Sequence, residues 1–275
     1  MIPIEDIIEQ NKSIYTMDEQ TRKIKDRFIH TEKLYHFTSF KSALDIIKSS
    51  SLKFGRMKKL NDINESYRPA YYDFTGNAKS DNQKLIEEEI GKYGQISFSQ
   101  DIKNDSKCAT KMAFTIEPMW GHYAERGYGA CLVFDKSKLL ENLGDGIWYD
   151  EISYSDDHDN SIDIHGDNPE EIRQELSRNR KEYFFTKTSS WEYEQEFRLV
   201  KRCDSEKDEF LEFNDSLLAV IMYLAEDWPA TEHCSGSPQY KDLQKALKDR
   251  PVFCYSSFRG DRSLSYKDHK IFPAE

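Results

Sequence analysis

The sequence predicts an α+β fold: a single domain over residues 31–275 behind an N-terminal helical extension over 1–30. Three observations carry that expectation. Residues Lys33 to Gly55 read as strand, helix, strand. Apolar, β-rich runs recur at 129–134, 217–224 and 252–258. Charged, helix-like segments separate them, with no internal repeat or low-complexity tract.

In chain order, Ile4, Ile7, Ile8, Ile14, Ile24 and Phe28 recur at loosely helical spacing among charges, which predicts one or two amphipathic helices leading into the domain. Lys33-Leu-Tyr-His-Phe reads as a strand, Thr38/Ser39 as a helix cap, Ala43-Leu-Asp-Ile-Ile-Lys as the helix and Leu52-Lys-Phe-Gly as a second strand. The polar turn Asn61-Asp-Ile-Asn-Glu precedes a segment with Tyr67, Tyr71 and Tyr72, then a charged helix from Asp81 to Lys92. Gly94-Gln-Ile-Ser-Phe-Ser is strand-like. Pro118 opens a short helix carrying Trp120, His122 and Tyr123 that breaks at Gly127 before an apolar strand. Residues Ser155 to Asn168 read as a long polar loop, Pro169 to Phe185 as one polar helix and Lys187 to Trp191 as a second loop. Glu194 to Val200 reads as extended, Leu217 to Leu224 as a buried central strand, Tyr240 to Lys248 as a helix and Val252 to Phe258 as a last core strand.

A chain of 275 residues can bury most of its apolar surface without metals or disulfides. The hydrophobic fraction is only 37%, but 16 Phe, 16 Tyr and 4 Trp concentrate it in large rings, as an ordered globule requires. A net charge of −11 repels polyanions, which argues against bulk nucleic-acid binding and leaves room for a local basic strip such as Lys53, Arg56, Lys58 and Lys59. The longest apolar run, Leu217 to Ala225, falls far short of the roughly 20 residues of a membrane helix, and the N-terminus lacks a basic region followed by an apolar core. These features predict a cytoplasmic protein. Five cysteines without a CxxC pair argue against a disulfide framework and a structural zinc site.

The most informative short stretch is Trp191-Glu-Tyr-Glu-Gln-Glu-Phe-Arg. In an extended chain it places Glu192, Glu194, Glu196 and Arg198 on one face. Such a row of carboxylates destabilises a sheet unless Arg198 or a ligand compensates it; the plainer alternative is a solvated edge strand with an Arg–Glu pair. His36 ends a short strand directly before a capped helix, where its ring can meet a ribose hydroxyl or be satisfied by backbone. Ser97 and Ser99 flank Phe98 and share a face; Trp120, His122 and Tyr123 form either a site or core packing. The loop from Asp156 to Asp167 carries metal-compatible groups but lacks the glycine and closing glutamate of a calcium loop, so no metal is expected. No dinucleotide fingerprint, phosphate-binding GK[ST] loop or GxSxG elbow is present.

Taken together, Leu34-Tyr-His-Phe-Thr-Ser, Ala43-Leu-Asp-Ile-Ile, Asn61-Asp-Ile-Asn-Glu, Ile96-Ser-Phe-Ser, Met119-Trp-Gly-His-Tyr-Ala, Gly129-Ala-Cys-Leu-Val-Phe-Asp and Trp191-Glu-Tyr-Glu-Gln-Glu-Phe-Arg-Leu form an ordered series. The series resembles the bacterial domain-of-unknown-function 2971 family, grouped with the ADP-ribosyltransferase-like superfamily. That resemblance implies a split β-sandwich with flanking helices and NAD as substrate. It further implies that His36, with Thr38 beside it, contacts an NAD ribose. Ser97 and Ser99 look like the superfamily's central-strand serine motif, and Glu194-Gln195-Glu196 looks like its Glu-x-Glu loop. Glu196 would then stabilise the oxocarbenium-like sugar and Glu194 would deprotonate the attacking group. Tyr123 would stack on nicotinamide, and Lys187 or Arg198 would balance the carboxylates or meet the pyrophosphate. The central motif lacks the usual middle Thr, and His36 stands where the Glu-x-Glu class has Arg, so the sequence mixes two subclasses and the acceptor does not carry over.

The expected function is therefore an NAD-consuming ADP-ribosyltransferase or NAD glycohydrolase, as in bacterial toxins and anti-phage effectors, with protein, nucleic acid or water as acceptor. The alternative is a non-catalytic nucleotide- or protein-binding module on the same fold; a metal-dependent nuclease ranks last. The amphipathic N-terminal helices suit a homodimer or antitoxin contact.

Overall fold

A computed structural model describes residues 18–57, 81–103, 109–156, 168–224, 238–258, 261–266 and 269–274. The first part of the N-terminal extension, the Asn61 turn with Tyr67, Tyr71 and Tyr72, Lys58 and Lys59, and nearly all of the acidic loop lie outside them. The protein is mixed α+β, and its chain forms two compact units, each assembled from non-contiguous segments.

The first unit comprises residues 1–50, 114–141 and 214–275. Asp18 caps helix Glu19–His30 by accepting the Thr21 N–H at 2.7 Å. Strand Lys33–Thr38 follows, and Ser39 caps helix Phe40–Ser49 by accepting the Ser42 N–H at 3.0 Å. The unit's mixed sheet runs in the order 33–38, 130–135, 217–224, 252–258, 261–266, 269–274. Only 217–224 and 252–258 pair in parallel, and helix Pro238–Leu247 lies in the connection that such a pairing needs. Leu217–Leu224 is flanked on both sides, which explains its unbroken apolar run. The two last strands carry no comparable signal and were not expected. Gly129 is fixed by crowding: a Cβ there would sit 2.3 Å from the Thr38 carbonyl oxygen.

The second unit comprises residues 51–113 and 142–213. Its antiparallel sheet orders strands 55–56, 93–99, 196–202 and 147–151. A parallel pair joins Ser153–Tyr154 to Thr186–Lys187. Helices Asp81–Ile90 and Pro169–Arg178 cover a core built from Ile86, Tyr93, Ile152, Ile172, Leu176, Phe184, Phe185 and Val200. The single helix expected from Pro169 to Phe185 is two, Pro169–Arg178 and Arg180–Phe184, because the chain leaves helical geometry at Asn179.

Cys131 and Cys203 are buried free thiols, and Cys254 is disulfide-bonded. Among the described residues, no helix is long and apolar enough to cross a membrane.

Candidate functional site

The second unit gathers most of the expected site residues around the start of strand Glu196–Arg202. The row of alternating carboxylates does not form. Residues Ser189–Glu194 make a 3₁₀ turn, and Gln195 takes a left-handed conformation at φ 46° before the strand begins at Glu196. Glu192 therefore stands exposed on the turn, outside the strand's alternation. The corner is held locally: the Gln195 side-chain amide donates to the Glu192 carbonyl at 2.7 Å, and the Gln100 N–H donates to the Gln195 carbonyl at 2.9 Å.

Nor is this a solvated edge strand. It is flanked by 93–99 and 147–151, and Glu196 and Arg198 are 3% and 0% exposed. The Arg–Glu pair itself is present, and bidentate: Arg198 Nε reaches Glu196 Oε1 at 2.8 Å and Nη2 reaches Oε2 at 2.9 Å. Arg198 Nη1 donates to the Phe184 carbonyl at 2.7 Å, tying the strand to the helix that ends there.

Lys187 brings the second carboxylate in. The expected loop 187–191 instead starts in the two-residue strand Thr186–Lys187, which aims the lysine inward. Its ammonium lies 2.8 Å from Glu194 Oε2 and 2.7 Å from Glu196 Oε2, and 5.4 Å from the centre of the Trp191 ring. Two carboxylates and two cations thus compensate one another out of contact with water, an arrangement that is stable only when every partner is present. Burial pushes the Glu196 carboxyl upward, but Arg198 and then Lys187 outweigh it and hold it at about 2. It is an anion at every physiological pH.

Antiparallel register sets Ser99 opposite Glu196 and Ser97 opposite Arg198. Ser99 is buried; Ser97 is half-buried and accepts from the Gln95 amide at 3.2 Å. The two serines and Glu196, the last member of the Glu-x-Glu triplet, are therefore neighbours in one sheet.

Tyr154 is the member that sequence reading missed. Its phenol oxygen accepts the Glu196 backbone N–H at 2.8 Å, and its strand pairs in register with Lys187. Burial, the largest influence, raises its pKa further above the ordinary 10. A tyrosine in a polar stretch gives no sign of this, because its role depends on the pairing of two very short strands.

His36, Thr38 and Tyr123 belong to the first unit. His36 and Thr38 are half-buried on one face of strand Lys33–Thr38, opposite Leu132 and Ala130. Tyr123 ends helix Glu117–Tyr123, with its ring 6.2 Å from that of exposed His122. Trp120 on that helix is core: it is 2% exposed, packs edge-on to Phe37 at 5.2 Å and donates to the Phe114 carbonyl. In the basic strip, Lys53 pairs with Asp208, and Arg56 is held by the Lys92, Cys203, Ser205 and Lys207 carbonyls. That guanidinium braces a loop and is not offered to a phosphate backbone. Among the described residues, no cluster of His, Cys, Asp and Glu has metal-binding geometry.

Residues 119–199 match the profile of a family described as "Protein of unknown function (DUF2971)". The matched stretch holds Tyr154, Lys187, Glu194, Glu196 and Arg198. Among curated proteins and solved structures, nothing matches the chain.

Proposed function

We propose that the protein is an NAD-consuming ADP-ribosyltransferase or NAD glycohydrolase of the bacterial toxin or anti-phage type, built on an ADP-ribosyltransferase-like fold. One observation carries the reading: the carboxylates of Glu194 and Glu196 converge on the single ammonium of Lys187, and Glu196 is held ionised beside the serine pair. Heterolysis of the nicotinamide–ribose bond sends the bonding electrons to nicotinamide and leaves positive charge on the sugar. A fixed anion lowers that barrier without reorganising. In this reading Glu196 stabilises the cationic sugar, Glu194 accepts the proton of the attacking oxygen, and Ser97 and Ser99 hold the ribose end. Arg198 and Lys187 keep the anion in place. The products are nicotinamide, a proton and ADP-ribose, free or joined to the acceptor.

A second reading has its own observation. Glu196 is 3% exposed and both of its oxygens already accept from cations, as in a structural ion cluster of a non-catalytic nucleotide- or protein-binding module. Nicotinamide release from NAD separates the two. Release by the wild type that falls at least 100-fold in Glu196→Gln, with thermal unfolding still cooperative, supports the enzyme. NAD binding without release, equal in both proteins, supports the module.

A further inference from the structure

Of the groups around the Glu194–Glu196 centre, Tyr154 is left with a hydrogen to give. Its oxygen is engaged by the Glu196 N–H at 2.8 Å, which turns the phenolic hydrogen away from that strand. No acceptor for this hydrogen occurs among the described residues. The neighbouring charges are buried, whereas Tyr154 is half-buried and so retains access to solvent. Its backbone is pinned as well: the Ser153 N–H donates to the Phe185 carbonyl and the Ser155 N–H to the Lys187 carbonyl. The donor is thereby oriented before any ligand arrives, which is what makes one hydrogen bond discriminating.

From this geometry we infer that Tyr154 is a ligand-contacting hydroxyl of the site beside Ser97 and Ser99, donating to a ribose hydroxyl oxygen of the nucleotide and selecting for sugars that carry it. The inference rests on the proposed function for the identity of the nucleotide. Glu196 has its oxygens engaged by Arg198 and Lys187, so hydrogen bonding to the sugar falls to neutral hydroxyls, Tyr154 among them. Burial keeps Tyr154 in its protonated, donating form through the physiological range.

Affinities of the full chain for NAD and for its 2′-deoxy and 3′-deoxy analogues in the nicotinamide ribose, each measured for wild type and Tyr154→Phe, form a cycle between one protein hydroxyl and one ligand hydroxyl. The expected result is a wild-type preference of about tenfold for NAD over one of the analogues, lost in Tyr154→Phe, whose affinity for that analogue is unchanged. A purely structural phenol would weaken all three ligands alike, and that outcome, or a preference that survives the substitution, overturns the inference while leaving the function standing. Wild-type protein that binds none of the three overturns both. Should Tyr154→Phe not fold, 3-fluorotyrosine at position 154, a stronger donor, must tighten NAD relative to the deoxy analogue; an unaltered ratio overturns the inference.

Discussion

Two strands, one in each unit, are sheltered on both sides by neighbours, and their contents are opposite. Leu217–Leu224 presents Leu, Ala, Val, Ile and Met to the interior of the first unit, whereas Glu196–Arg202 opens with a buried Glu-Phe-Arg in the second. The first composition follows from burial alone. The second runs against it, since removing two charges from water is favourable to stability only when geometry and hydrogen bonds are complete, and apolar residues of like volume often serve the fold as well. A sheet that needed only stability could resemble the first strand, and the proposed function gives the charges of the second a use.

The comparison can be broken most forcefully at Arg198. Arg198→Met leaves Glu196 buried without its bidentate partner, and urea unfolding should show a loss of about 3–5 kcal/mol. Acid gives a similar but graded effect. Because Glu196 titrates near 2 in the folded protein against an ordinary 4.5, its contribution is complete above about pH 5 and is lost as pH falls toward 2. The stability gap between wild type and Glu196→Gln should accordingly shrink over that window by up to about 3 kcal/mol. In the apolar strand, Ile221→Val should lower stability by only about 1 kcal/mol, with no dependence on pH between 3 and 7. At the surface, Asp208→Ala breaks the pair with Lys53, whose side chains are 51% and 54% exposed, and should change stability by less than about 0.5 kcal/mol.

The same contrast explains what the sequence makes legible. Leu217–Leu224 and Val252–Phe258 are readable because a continuous apolar run has few other uses, and Ser39 is readable as a cap because its side chain acts on its own local backbone. Glu194, Glu196 and Arg198 stand out as charges needing compensation, Lys187 enters only through the family resemblance, and the structure brings the four together. Their arrangement was not readable. Strand alternation put Glu192 among them, but the left-handed corner at Gln195 removes it, and glutamine carries no local signal for that conformation. Tyr154 and the strand Ile147–Glu151 were missed for a related reason: both are partly exposed, and their roles come from pairing with residues some 30 to 50 positions away.

The central claim is that the Glu196–Arg198 pair is used for the proposed chemistry, and that uncharged residues of like volume would serve the fold about as well. The double variant Glu196→Gln/Arg198→Met removes both charges of the pair and keeps the volume, leaving Lys187 with Glu194. Unfolding free energy within about 2 kcal/mol of wild type, together with loss of nicotinamide release from NAD, is the predicted result. A folded double variant that releases nicotinamide at the wild-type rate would contradict the account.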